Sequence, residues 1–107
     1  NLAKALLARG QIEEARRHAE HAFETLRTRL PAGHWRIAAA ESILGATLLK
    51  SGELARAEPH LLASWKTLQL AQSADAPTRR AALERVAELY EAQGDRPAAT
   101  SLRASLE

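Results

Sequence analysis

The chain of 107 residues has no cysteine, few β-branched residues and no long apolar run. Without cysteine there can be no disulfide framework and no site in which thiolates bind a metal. None of the apolar runs approaches the roughly 18 residues that a membrane-spanning helix requires. Because Ala, Leu, Arg and Glu are abundant, helix is favoured over strand. The composition predicts one all-α domain with a modest core and no membrane insertion.

Concentrated charge of one sign is also missing. The chain has 15 Lys and Arg against 13 Asp and Glu, a formal net charge of +2. Most arginines stand among glutamates, as Arg16 and Arg17 do after Glu13 and Glu14. Exposed helical pairs of this kind contribute about 0.3–0.5 kcal/mol each. Nucleic-acid-binding proteins concentrate positive charge on one surface, so the sequence predicts no nucleic-acid partner.

A regular spacing organises the residues that are present. Gly10, Gly52 and Gly94 are equally spaced along the chain, with a period of 42. Small or apolar residues recur with the same spacing, as Ala15, Ala57 and Ala99, as Leu2, Leu44 and Val86, and as Leu6, Leu48 and Tyr90. Such a period is typical of a repeat array, in which stacked copies bury together what a single copy cannot.

Each copy is predicted to be a helix, a tight turn and a second helix. The apolar positions within a copy are three or four residues apart, and the glycine interrupts them. The first five predicted helices cover about 1–9, 12–29, 35–50, 54–71 and the stretch from Pro77 to near Gln93. A sixth covers 96–106 with Asp95 as its N-cap. Pro59 inside the fourth helix predicts a local kink.

This pattern resembles the tetratricopeptide repeats. The second copy carries the residues of that family's motif at Leu44, Gly45, Leu48, Gly52, Ala57, Leu61 and Ser64. The period of 42 is similar to that of the longer repeats in kinesin light chains and bacterial signalling proteins. Segments 34–62 and 82–99 are similar to the C-terminal repeats of bacterial serine/threonine protein kinases.

The resemblance implies a right-handed superhelical array of antiparallel helix pairs, about six helices in all. It divides the chain into an incomplete repeat 1–33, a repeat 34–75 and a C-terminal capping repeat 76–107. Arg103 stands where an apolar residue would meet a following repeat. The first copy begins partway through its first helix, so we expect Leu2 and Leu6 to be exposed and the chain to belong to a longer protein.

The family also implies a partner-binding groove on the concave surface, lined by the first helix of each repeat. The residues at those positions are Lys4, Leu7, Ser42, Ala46, Leu49, Lys50, Glu84, Glu88 and Glu91. Lys4 alone matches the family's clamp for a C-terminal carboxylate. We expect three unpartnered carboxylates in the third copy, and our hypothesis is that they meet basic residues of a partner. The alternative is a merely solvated helix face.

The sequence gives little support to a catalytic or metal-binding function. Glu14, His18 and His21 project from one side of a helix and are of types that bind zinc. Ligands from one straight helix rarely converge on a single ion, so exposed histidines are the preferred interpretation. No nucleophile elbow, phosphate-binding loop or kinase motif is found. We expect no enzyme activity and no cofactor.

Two functions remain open. The first is a non-catalytic scaffold module that binds a protein or peptide in the concave groove. The second is a regulatory, sensor or self-associating segment of a larger bacterial serine/threonine protein kinase, forming homo-oligomers through the truncated first helix. A cytoplasmic location is expected in either case.

Overall fold

The computed structural model describes residues 2–105, and these contain six α-helices and no strand. The helices are α1 (Leu2–Ala8), α2 (Ile12–Arg29), α3 (Trp35–Lys50), α4 (Leu54–Leu70), α5 (Ala76–Ala92) and α6 (Arg96–Ala104). The all-α prediction is confirmed. Position 1 of the first predicted helix and position 106 of the last lie outside the described residues, as does the final residue of the predicted capping repeat.

The same glycine turn closes the first helix of all three hairpins. Gly10, Gly52 and Gly94 have φ angles of 80°, 82° and 84°, a left-handed conformation that favours glycine. The N–H after each glycine donates to the carbonyl five residues earlier: Gln11 to Leu6 at 2.9 Å, Glu53 to Leu48 at 2.9 Å, and Asp95 to Tyr90 at 2.8 Å. These bonds satisfy carbonyls that the helix end leaves unpaired. The sequence period therefore corresponds to a repeated backbone structure.

Side chains fix the starts of the two C-terminal helices. Asp75 accepts a hydrogen bond from the Thr78 amide at 2.7 Å, and Asp95 accepts one from the Ala98 amide at 3.2 Å. Pro77 lies in the first turn of α5, where a missing amide is tolerated. The predicted N-cap at Asp95 is confirmed. Pro59 does not interrupt α4, which is continuous from Leu54 to Leu70.

The helices pack in an order that places the first helices of the hairpins together. Each helix contacts the next one along the chain, and α3 additionally packs against α1 and α5. In the described part of the chain, the backbones of α2, α4 and α6 do not approach one another. The faces of α1, α3 and α5 consequently adjoin.

The small and apolar residues that recur with the 42-residue period form most of the core. Its main cluster contains Ala3, Ala19, Ile43, Leu44, Leu48, Ala57, Leu61, Val86 and Leu89. A second cluster contains Ala38, Leu68, Ala74 and Ala82. Trp65 packs against both clusters, so its ring has a structural role. Leu2 is 58% exposed as expected, but the expectation for Leu6 is wrong, because α1 packs on α2 and α3 and leaves Leu6 only 7% exposed.

No helix in residues 2–105 combines the length and the apolar character that crossing a membrane would need.

The closest crossing of α3 and α4 depends on Gly45. A Cβ atom at this position would lie 2.6 Å from Leu61 Cδ2, 2.7 Å from Leu61 Cγ and 3.3 Å from the Leu61 amide nitrogen. Leu61 is fully buried, so it has little room to move. We expect Gly45→Ala to lower the free energy of unfolding by about 1–3 kcal/mol, measured by urea denaturation.

The sign of the change in unfolding free energy that Gly45→Ala causes distinguishes an effect of packing from one of helix propensity. Replacing glycine by alanine inside a helix ordinarily stabilises it by about 1 kcal/mol. Ala63→Gly on the exposed side of α4 provides the control for that propensity. A Gly45→Ala variant more stable than the unsubstituted chain would contradict the close approach of the two helices.

Candidate functional site

A cavity of about 180 Å³ lies between the adjoining faces of α1, α3 and α5. It is named here the α1–α3–α5 cavity. Its lining consists of Lys4, Ala39, Ser42, Ile43, Thr78, Ala81 and Arg85. The described lining therefore combines two basic groups, two hydroxyls and small or apolar side chains, without a carboxylate among them.

Ser42 and Arg85 connect α3 to α5 within this cavity. The Arg85 Nη1 donates a hydrogen bond to the Ser42 Oγ at 3.0 Å. Ser42 is 1% exposed, whereas Arg85 is half-buried. The buried hydroxyl thus holds one N–H of the guanidinium, which has five N–H donors in all.

The charge of Arg85 is poorly compensated. Burial lowers the pKa of its guanidinium, and the Glu88 carboxylate acts in the opposite direction through charge. Among residues 2–105, no carboxylate forms an ion pair with Arg85. A half-buried cation whose hydrogen-bond partner is a neutral hydroxyl is electrostatically unfavourable in the absence of an anion.

The structure brings together some of the residues that the sequence placed on the groove. Lys4 lies exposed on α1 at the edge of the cavity, and Ser42 lies buried in its wall. Ala46 is also buried, and Leu49 packs against the main core cluster, so neither offers much accessible surface. Leu7 is half-buried on α1, and Lys50 is exposed at the end of α3.

The expectation of three unpartnered carboxylates on α5 is wrong. Arg103 of α6 holds Glu84 through Nη2 at 2.7 Å and through Nε at 3.1 Å. The same guanidinium holds Glu91 through Nη1 and Nη2, both at 2.9 Å. Of these three carboxylates, only that of half-buried Glu88 has no ion pair among the described residues. Arg103 thus compensates one of the three negative charges, and its reach across the hairpin was not evident from spacing along the chain.

Arg85 was missed by the sequence analysis, although a signal for it exists. The repeat period relates Arg85 to Ile43, which is buried. A charged residue whose equivalent in the neighbouring repeat is buried is unusual, because charges are rarely buried without a partner. That departure would have marked Arg85 as a candidate functional residue.

The candidate zinc ligands Glu14, His18 and His21 are all exposed on α2. No group of three potential ligands in the described residues is arranged to hold a metal ion.

Arg85 and Arg79 give opposite predictions for stability. We expect Arg85→Met to leave the free energy of unfolding unchanged or to raise it by about 1 kcal/mol, because folding no longer buries a poorly compensated cation. Arg79→Met is the matched control. Arg79 donates to the carbonyls of Ala71 and Ala74, and removing those bonds should destabilise the fold by about 1–3 kcal/mol. Urea denaturation measures both, and a large loss for Arg85→Met would identify Arg85 as a structural residue.

The Arg103 cluster predicts a dependence on pH. The hydrogen bond from Arg103 lowers the pKa of Glu91 below its ordinary value of 4.5. Since the unfolded chain then binds the proton more readily, this stabilisation is present above pH 4.5 and is lost as the pH falls through the lower folded-state pKa. The melting temperature of Arg103→Gln should lie below that of the unsubstituted chain at pH 7, and the two should converge in acid.

Arg80→Gln removes the same charge from an exposed position on α5 and serves as the control. An Arg103→Gln deficit that persists undiminished at pH 3 would contradict the ionic origin of the effect.

Comparison with known proteins finds no matching family model, no matching curated protein and no matching solved structure. The chemistry of the α1–α3–α5 cavity is accordingly the strongest indication of function that the chain offers.

Proposed function

We propose that the chain is a non-catalytic interaction module that binds a segment of a protein partner at the α1–α3–α5 cavity. The partner places an acidic side chain against Arg85. The observation that carries this proposal is the half-buried guanidinium of Arg85, which within residues 2–105 has a hydroxyl but no carboxylate as its partner.

An anion would give the Arg85 guanidinium the negatively charged partner that it lacks within residues 2–105. A guanidinium has five N–H donors in a planar fork that matches both oxygens of a carboxylate. One of its nitrogens is held by Ser42, so the side chain is already oriented before a ligand arrives. Hydrogen bonds between ionised partners are roughly twice as strong as neutral ones. Binding therefore regains favourable interactions that were lost when the guanidinium left water.

The rest of the lining favours an anion as well. The Lys4 ammonium group adds positive charge at the edge of the cavity, and the hydroxyl of Thr78 adds a hydrogen-bonding group. None of the lining residues that the structure describes is acidic. A basic side chain of a partner would meet two cations here. Arg103 already pairs Glu84 and Glu91, so the three carboxylates of α5 are no longer the preferred contact for a partner.

The size of the cavity limits the ligand. Its volume of about 180 Å³ is below the roughly 300–1,000 Å³ that is typical of small-molecule pockets. One inserted side chain of an extended segment fits this space better than a cofactor does. The partner is thus a peptide or an exposed loop of another protein.

The arrangement of the hairpins supports the proposal. In our proposal, the three copies form a solenoid of the tetratricopeptide type, and α1, α3 and α5 line the concave surface of that solenoid. The support comes from the identical glycine turns and from the contacts of α3 with both α1 and α5. Repeat arrays of this kind use their concave surface for binding.

Self-association is a second candidate function, favoured by one observation. Leu2 is 58% exposed on α1 and could meet another copy. Burial of Leu6 removes the second residue on which this candidate relied.

A display library of random linear peptides tests the proposed function. Peptides selected on the unsubstituted chain should be enriched in Asp or Glu at a shared position. Replacing that acidic residue by its amide should weaken binding about tenfold, which corresponds to about 1.4 kcal/mol. Arg85→Met should weaken binding of the same peptides by a similar factor. Fluorescence anisotropy measures each affinity.

Arg56→Met is the matched control for net charge. Arg56 is an exposed arginine on α4 and lies outside the α1–α3–α5 cavity, so its replacement should leave peptide binding nearly unchanged. Selected peptides without acidic enrichment, or equal losses for Arg85→Met and Arg56→Met, would remove the support for a specific anion contact.

A further inference from the structure

Ser42 differs from the other buried hydroxyl residues of the described chain. The exposed fractions of Ser42, Thr47 and Ser64 are 1%, 0% and 0%. The hydroxyls of Thr47 and Ser64 donate to carbonyls of their own helices, at 2.7 Å and 3.1 Å. The Ser42 Oγ instead accepts a hydrogen bond from Arg85. Among residues 2–105 no group accepts from the Ser42 O–H, so this donor is available at the wall of the α1–α3–α5 cavity.

The unused donors of Ser42 and Arg85 lie side by side. Ser42 occupies one N–H of the guanidinium at 3.0 Å, and a guanidinium has five. Within residues 2–105 no carboxylate forms an ion pair with Arg85. A polar group that leaves water without gaining a hydrogen bond costs free energy. One oxyanion would accept hydrogen bonds from both residues at once.

The polar groups of the cavity come from all three hairpins. Lys4 lies on α1, Ser42 lies on α3, and Thr78 and Arg85 lie on α5. A carboxylate is planar and has two oxygens. A phosphate monoester has three terminal oxygens that point in different directions, and it carries a charge of about −1.5 to −2 at pH 7. Donors that surround a cavity from three helices, two of them cationic, fit a phosphate better than a carboxylate.

Two carboxylates lie near the cavity and do not belong to its described lining. Hydrogen bonds from the side chain and the amide of Thr78 lower the pKa of Asp75, and the charge of Lys4 acts in the same direction. Asp75 caps the N-terminus of α5, where the helix dipole favours a negative charge. Glu88 acts on Arg85 through charge. Within residues 2–105 neither carboxylate hydrogen-bonds the guanidinium, so its donors stay available for a ligand.

We propose that the acidic side chain entering the α1–α3–α5 cavity is a phosphorylated one, phosphoserine or phosphothreonine. Its phosphate accepts hydrogen bonds from the Ser42 hydroxyl and the Arg85 guanidinium, while Lys4 adds positive charge at the edge. This inference rests on the proposed function and specifies the chemistry of the partner's acidic group. The volume of about 180 Å³ suits a phosphate on a short side chain better than a whole phosphorylated cofactor.

Peptides with a fixed phosphoserine test the inference. A synthetic library with phosphoserine between random flanking residues is selected on the unsubstituted chain, and each selected peptide is made again with glutamate or serine at that position. By fluorescence anisotropy, the phosphoserine version should bind about tenfold more tightly than the glutamate version, because it adds charge and one more acceptor oxygen. The serine version should bind more weakly than both.

The outcomes separate this inference from the proposed function. Equal affinities of the phosphoserine and glutamate versions, both well above that of the serine version, would overturn the phosphate and leave the proposed acidic contact standing. Phosphoserine and glutamate versions that bind no better than the serine version would overturn both.

The pH dependence of binding identifies a dianion. The second pKa of a phosphate monoester is about 6, so the affinity of the phosphoserine version should fall about fourfold between about pH 7.5 and pH 5.5. Carboxylates ordinarily titrate below this interval, and lysine and arginine above it. The described lining contains no histidine, and the lowered pKa of Asp75 lies further from the interval. Equal pH profiles for the phosphoserine and glutamate versions would contradict a dianionic ligand.

Ser42→Ala tests the hydroxyl donor. This variant loses the O–H that meets the phosphate and the oxygen that orients Arg85, so the phosphoserine version should bind about tenfold more weakly. Ser64→Ala removes an equally buried hydroxyl from α4, outside the cavity, and should leave that affinity nearly unchanged. Circular dichroism reports whether both variants keep their helices. Equal losses for the two variants, or no loss for Ser42→Ala, would overturn the contact between Ser42 and the phosphate.

Inorganic phosphate distinguishes a phosphorylated partner from free phosphate. As a competitor it should bind at least about a hundredfold more weakly than the selected phosphoserine peptides, because it lacks the contacts of their flanking residues. Inorganic phosphate that binds as tightly as those peptides would overturn a protein partner and identify the cavity as a site for the free ion.

Discussion

The glycine turn that ends α1, α3 and α5 is the constraint on which the arrangement of the helices depends. A positive φ at Gly10, Gly52 and Gly94 lets the chain reverse at once, while the hydrogen bond across each turn satisfies a helix-end carbonyl. Three identical reversals give three hairpins of the same geometry. Their first helices can then adjoin, and that adjacency creates both the core and the α1–α3–α5 cavity.

Two arginines of the third hairpin lie in opposite electrostatic environments. Arg103 lies between Glu84 and Glu91, and those hydrogen bonds raise the pKa of its guanidinium. Arg85 is half-buried beside Ser42, and burial lowers the pKa of its guanidinium. The Arg103 guanidinium has two anionic partners, whereas the hydrogen-bond partner of Arg85 among residues 2–105 is a neutral hydroxyl. The two positions therefore differ in whether the cation meets an opposite charge.

Much of the secondary structure could be predicted from the sequence. The six helices, the glycine turns and the N-cap at Asp95 depend on local spacing and on the backbone preferences of single residues. The predicted helix ends agree with the observed ones to within about one or two residues, which is the ordinary uncertainty of such boundaries. The exposure of Leu6 was predicted wrongly, because the burial of this side chain depends on how α2 and α3 pack against α1.

The candidate site was only partly accessible to the same reasoning. Sequence placed Lys4 and Ser42 on one surface because periodicity determines which residues share a helix face. It did not show that Arg103 reaches Glu84 and Glu91, or that Arg85 meets Ser42 across α3 and α5. The sequence by itself determined the repeating helical hairpin, since its signals lie within a few residues of one another. Only the tertiary structure decided which charges form ion pairs, because those distances depend on how separate hairpins pack.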